Sequence, residues 1–164
     1  MAAQDAMKWW GWGQDGVGFT HEDKPDFAPF MREVLGVDVT RPTGAPARWE
    51  DLDVPASDLP DGLGAALAEV VGAAHLSVDP LDRVVHARGK SLRDLVSQRR
   101  GEFSRIPDVV VRPGSEDEVA AVLGAALAAD AVVIPFGGGT SISGSLEAPA
   151  GESRPVVSVE LARL

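Results

Sequence analysis

Apolar residues recur with two different periods along this chain, and the change from one to the other divides it. From about residue 61 the spacing is helical. Leu63, Ala66, Leu67, Val70 and Val71 share one face of "LGAALAEVVGAA", which is therefore read as a helix. Asp79-Pro80 pairs a capping carboxylate with a proline suited to the first turn, so a second helix starts there and runs to Gly89. Ser91 caps a third, "LRDLVSQRR", closed by Gly101. Past residue 104 the pattern turns to short apolar runs. "PDVVVRP" reads as a buried strand between prolines, and "AVVIP" and "PVVSVEL" as two more. Between the first two lies "EDEVAAVLGAALAAD", preceded by Ser115, which stands in capping-box spacing with Glu118. Its predicted inward face is Val119, Val122, Leu123, Ala126 and Leu127. Strand, helix and strand of these lengths make a βαβ unit with parallel strands and a right-handed crossover.

The first 60 residues show little periodicity. They read as an irregular and helical N-terminal arm, with one short helix in "DFAPFMREVLG". Trp9, Trp10 and Trp12, set among glycines, are expected to pack on the body of the protein. The predicted organisation is an extended arm over 1–60, a helical segment over 61–103, and an α/β unit with a small parallel sheet and flanking helices over 104–164.

Composition narrows the function classes. A length of 164 residues suits one domain, and the net charge of −10 argues against nucleic acid as partner. Arg83, Arg88, Lys90, Arg93, Arg99, Arg100, Arg105 and Arg112 nevertheless fall in one stretch. They read as a solvated helix surface in preference to a phosphate-facing one. Without cysteine there is no disulfide, no thiolate nucleophile and no cysteine-ligated metal. His21, His75 and His86 show no ligand or triad spacing; His86, in "HARGKS", is read as structural. Neither a transmembrane run nor a signal peptide is read, and the expected location is the cytoplasm. The final Ala162-Arg163-Leu164 is a variant of a peroxisomal address, but is read as part of a strand's exit.

The candidate chemistry lies in "PFGGGTSISGSLEAP", directly after the strand "AVVIP". Gly139 and Gly144 have Walker spacing, but Ser145 stands where lysine is needed. A Rossmann pattern from Gly137 and Gly139 meets Ile142 at its third position. Both named motifs fail, yet bare backbone at the carboxyl end of a strand can still present amide N–H groups to a pyrophosphate. Thr140, Ser141 and Ser143 add hydroxyl donors. The other reading of a glycine run is a surface turn.

The stretch "RIPDVVVRPGSEDEVAAVLGAALAADAVVIPFGGGTSISGSLEAP" resembles the first part of the FAD-binding domain of the vanillyl-alcohol oxidase and p-cresol methylhydroxylase (PCMH) superfamily. "MKWWGWG", "HARGKSLRDL" and the glycine loop resemble its alkyldihydroxyacetonephosphate synthase branch, in which a second histidine is expected near Lys90. The resemblance implies the first, truncated part of a PCMH-type domain and FAD held without a covalent link. It implies cofactor contacts from Pro135, Phe136, Gly137, Gly138, Gly139, Thr140 and Ser141, with Gly144 and Ser145 beyond them. It also implies exchange of an acyl chain for a fatty alcohol on acyl-dihydroxyacetone phosphate, in ether-lipid synthesis. An FAD-linked 2-hydroxy-acid dehydrogenase or oxidase and a non-catalytic flavin-binding module are the alternatives. The family's catalytic residues lie outside the matched stretch, so no catalytic residue and no metal ligand is assigned. The implied partners are FAD and a small-molecule or lipid-phosphate substrate, with homodimerisation left open.

Overall fold

The computed structural model describes residues 7–14, 16–18, 21–41 and 44–164. Its elements run α1 (Phe27–Leu35), α2 (Asp61–Val71), β1 (Leu76–Ser77), α3 (Pro80–Val85), α4 (Leu92–Arg99), β2 (Val109–Val111), α5 (Glu116–Ala128), β3 (Val132–Phe136) and β4 (Val156–Glu160). Single 3-10 turns cover Trp49–Asp51 and Ala73–His75. The strands form one sheet in the order β1-β2-β4-β3. The pairs β2–β4 and β4–β3 are parallel, and β1 joins β2 antiparallel.

The βαβ unit is present with one change. After α5 the chain enters β3 two places from β2, and β4 returns to fill the gap. The strand "VVSVEL" is thus the sheet's centre, with every residue of Val156–Glu160 buried. The short antiparallel β1 has no counterpart in the sequence reading, because two residues are too few to show a period.

Register separates two faces of the sheet. Val109 and Val111 lie beside Val157 and Val159, and pack with Leu63, Leu67 and Val71 of α2 and Val122 of α5. This face is wholly aliphatic. On the other face Ile134, Phe136 and Val156 pack with Leu146 and Ala148 of the loop that follows β3. There Ser158 stands opposite Ile134, and Glu160 opposite Phe136.

Local signals explain most helix ends. Asp79 Oδ1 accepts from the N–H groups of Leu81 and Asp82, with Pro80 in the first turn. That helix ends at Val85, short of Gly89. Ser91 and Asp94 form a full reciprocal box on α4. At α5 the box is half made. Ser115 Oγ accepts from Glu118 N–H, but the Glu118 carboxylate turns to Gly114 N–H at 2.7 Å. The predicted inward face of α5 needs correction too. Val122 and Ala126 are buried, whereas Leu123 is 46% and Leu127 82% exposed. Ala125 and Ala129 also pack on the aliphatic core, so α5 turns its small residues inward, which allows α2 to approach closely.

The arm is docked through part of its aromatic run. Trp9 is buried with Val84, Val85, Ala87 and Ile106, its ring centroid 6.1 Å from those of both Trp49 and Phe103. Trp10 packs partly on the same cluster, while Trp12 is 52% exposed.

Candidate functional site

The glycine loop leaves β3, the edge strand on which Pro135 is tolerated for want of an N–H. Its glycines fall into two kinds. Gly139 has φ +65°, and a Cβ there would come within 2.7 Å of the Phe136 ring. Gly144 has φ +77°. Both are glycine for reasons internal to the fold. Gly137 and Gly138 have neither reason. Both are exposed and neither has positive φ. A Cβ on Gly137 would meet nothing within 4 Å, and one on Gly138 only Thr140 Cγ2 at 3.8 Å. The fold leaves that side of the backbone open.

Around this open backbone, Thr140 and Ser145 are exposed and Ser141 is half-buried. Ser141 Oγ lies 2.8 Å from Ser145 Oγ and 3.4 Å from Ser143 Oγ, so three hydroxyls cluster on one side of the loop. The chain then buries Leu146 and Ala148, which pins its return. A second clamp comes from the segment between α3 and α4. Lys90 N–H donates to Ser141 O at 2.6 Å. A Cβ on Gly89 would collide with that same carbonyl, so "RGKS" needs its glycine for close approach.

Phe136, the last residue of β3, rests on a charged layer. The His86 ring lies over it at 4.0 Å between centroids. His86 Nδ1 is 2.7 Å from Asp82 O, and Nε2 is 3.3 Å from Glu160 Oε2. Arg112 ties the layer together. Its Nε donates to Glu160 Oε2 at 2.5 Å, and its Nη2 to both Asp82 oxygens at 2.7 and 2.8 Å. Burial alone would lower the Arg112 pKa. The hydrogen bonds and charges of Asp82 and Glu160 outweigh that and hold it above the ordinary guanidinium value. Ser158 Oγ, His86 Nε2 and Glu160 Oε1 are buried without a hydrogen-bond partner.

This layer overturns the reading of the basic stretch as a solvated surface. Arg83, Arg88 and Lys90 are buried. Arg83 Nε donates to Pro107 O at 2.7 Å, and burial pulls its pKa down. Arg105 chelates Asp108, with Nη1 at 3.0 Å and Nη2 at 2.6 Å. Burial would raise the Asp108 pKa. Hydrogen bonds from Arg105 and from the N–H groups of Val156 and Asp58 outweigh it and hold the carboxyl below its ordinary range. Only Arg93, Arg99 and Arg100 behave broadly as predicted, at the exposed or half-buried surface of α4.

The sequence reading passed over Glu160 and Asp82, and took Arg112 for surface charge. A signal for Glu160 existed: in "VVSVEL" the polar residues sit two apart, hence on one face of a strand otherwise fit for burial. An open cleft of about 760 Å³ lies further along, lined by Arg88, Arg93, Phe103, Gly144, Glu147 and Pro149. It meets the loop at Gly144 and its return through Glu147–Pro149, away from Gly137 and Gly138, and Glu147 engages both arginines there, at 2.8 Å from Arg88 Nη1 and 3.1 Å from Arg93 Nη2. No helix among the described residues is long and apolar enough to cross a membrane.

A family described as "FAD binding domain" matches residues 107–163, which hold β2, α5, β3, the glycine loop and β4. An alkyldihydroxyacetonephosphate synthase of Caenorhabditis elegans is 30% identical over 175 residues, covering 96% of this chain and 29% of its own length. Protein Rv2250A of Mycobacterium tuberculosis is 30% identical over 109 residues, or 66% of this chain and 70% of that protein. A solved alkyldihydroxyacetonephosphate synthase superposes with a TM-score of 0.81 at 27% identity, covering 97% of this chain and 33% of the other. The chain thus spans about a third of the length of the synthases it matches.

Proposed function

Since the chain belongs to the FAD-binding flavoprotein family that these synthases represent, we propose that Pro135–Ser141, with Gly144 and Ser145, is its pyrophosphate-binding segment for FAD. The observation that carries this is the pair Gly137 and Gly138. Their bareness serves no turn and no neighbour, so it is free to serve a ligand. The loop's N–H groups and the hydroxyls of Thr140, Ser141 and Ser145 would bind the pyrophosphate oxygens non-covalently. Gly139 and the Phe136 ring beneath it would fix the curvature of the cradle. When bound, FAD supplies the redox-active ring, and the protein supplies position and electrostatics.

The wider reading is an alkyldihydroxyacetonephosphate synthase-like flavoenzyme, exchanging acyl chain for fatty alcohol on a lipid phosphate. Similarity running along nearly all of this chain supports it. Residues 104–164 would be the first part of the flavin domain, with 61–103 and the arm packed beside it. A cytoplasmic site and a homodimer complete the proposal.

The test is Gly138→Val in the full chain. A Cβ has room there in the protein itself, the two Cγ carbons extend from an exposed position, and φ is not positive, so the fold should persist. The expected outcome is unchanged thermal unfolding and loss of bound flavin, read from visible absorbance after gel filtration. Undiminished flavin content would overturn the assignment.

A further inference from the structure

Lys90 is the cation in this region that the fold leaves uncompensated. Its backbone N–H holds Ser141 O of the glycine loop, and the residue is only 5% exposed. Its near neighbours in the same stretch all find partners: Arg83 on two carbonyls, Arg88 on Glu147 and Glu102 O, Arg105 on Asp108, Arg112 on Asp82 and Glu160. Among the described residues no hydrogen-bond acceptor or carboxylate stands within bonding reach of the Lys90 ammonium. Asp94 acts on it only as a more distant charge, its carboxylate accepting Ser91 N–H at 3.2 Å within the α4 capping box. Burial pulls the Lys90 pKa below that of an ordinary lysine, and Asp94 only partly restores it.

A largely buried lysine whose ammonium meets no protein partner is a penalty on folding. Two outcomes make such a residue tolerable: its head reaches water along a buried stem, or an anion arrives to pair with it. At 5% exposure the stem is enclosed, but the ammonium is not among the fully enclosed polar atoms, so it sits at an opening that an anion can reach. The second has a stated place for the anion, since the residue is bonded through its backbone to the loop proposed above as the pyrophosphate site. We propose that Lys90 is the counter-charge of the dinucleotide's pyrophosphate, pairing with a phosphate oxygen once the ligand occupies the glycine loop. This rests on the loop being the pyrophosphate site. It gives the site a lysine drawn from the chain 45 or more residues upstream, in place of the one a Walker motif carries within its own loop.

The chain has lysine only at positions 8, 24 and 90, so lysine labelled at Cε and Nζ gives few signals, with Lys90 assigned by its loss in Lys90→Met. In the ligand-free protein the Lys90 signal should titrate below the ordinary lysine value of about 10.4, and move up on adding FAD or inorganic pyrophosphate. Lys90→Met should weaken FAD binding by about ten- to a hundredfold, the usual worth of a hydrogen bond to a charged group. Binding of riboflavin, which has no phosphate, should be unaffected. Without ligand, Lys90→Met should unfold at a higher denaturant concentration than the wild type, the reverse of what loss of a structural lysine gives. Lys90→Arg, keeping the charge, should retain most of the affinity. Wild-type FAD affinity in Lys90→Met, or a Lys90 titration unmoved by pyrophosphate, would overturn the proposal. If Gly138→Val loses flavin while Lys90→Met keeps it, the loop assignment stands and this one falls. If neither variant differs from a wild type that binds FAD, both fall.

Discussion

The two faces of the β1-β2-β4-β3 sheet are built from the same strands and solve opposite problems. One is aliphatic throughout: Val109, Val111, Val157 and Val159 against Leu63, Leu67, Val71 and Val122. Its contribution is non-directional, at about 25 cal/mol per Å² of apolar surface removed from water. The other carries Ser158, Glu160, Phe136 and, above them, His86 and Arg112. There every charge must be matched in direction as well as number, and several polar atoms are left unmatched. The difference teaches where specificity is placed. The aliphatic face holds the strands together, and the charged face fixes the angle at which the glycine loop leaves them.

Three experiments sharpen or break this contrast, in decreasing order of expected effect. Arg112→Met should be the most damaging, at about 3–5 kcal/mol, because it strands Glu160 and Asp82 without their cation. Chemical denaturation would measure it, and the double variant Arg112→Met/Glu160→Leu should recover part of the loss. If the double variant is worse than the single, the charged face is held by packing rather than by pairing. Leu67→Ala, fully buried on the aliphatic face, should cost about 2–5 kcal/mol. It should leave flavin bound per folded molecule unchanged, and a drop in that ratio would show that the faces are coupled.

The third experiment uses pH. Asp108 has a folded pKa below its ordinary value, so it binds protons less readily folded than unfolded. Its contribution is therefore complete above the unfolded value of about 3.9 and is lost as pH falls through the folded pKa. Stability should decline with acid below about pH 4, and Asp108→Asn should flatten that slope while lowering stability at neutral pH. An unaltered slope in Asp108→Asn would assign the acid transition to other carboxylates. Glu152, held down to about 2 by exposed Arg154, is the candidate to compare with it.

Much of this arrangement was legible in the chain, for identifiable reasons. Caps at Asp79, Ser91 and Ser115 act over two or three residues, so local sequence contains the whole interaction. The strands around Val109, Val132 and Val156 announce themselves by valine density. The glycine loop was visible because nothing but backbone use explains its composition. What stayed hidden depends on distant partners. Whether Leu127 or Ala126 faces inward is decided by how near α2 approaches, and α2 lies some 50 residues away in sequence. Arginines read as surface charge became buried because their acceptors, Pro107 O, Asp108 and Glu160, are brought to them only by the sheet. Gly89 looked like a helix terminator, and its real constraint, the carbonyl of Ser141, comes from beyond β3.

The place of β4 has a consequence for the order in which this protein can take shape as it is made. Among the described residues β3 pairs with β4 alone, and the parallel partner of β2 is β4 as well. While the ribosome is still adding residues 137–155, β3 lacks the strand it pairs with, and α5 can pack on α2 and β2 but not yet on β4. Emergence of Val156–Glu160 supplies the missing strand and, with Glu160, the carboxylate that Arg112 and His86 have been awaiting. The arrival of β4 thereby fixes the strand from which the glycine loop leaves. Until then a nascent chain presents β3 unpaired and β2 paired on one side only, the kind of open valine-rich edge that recruits other chains.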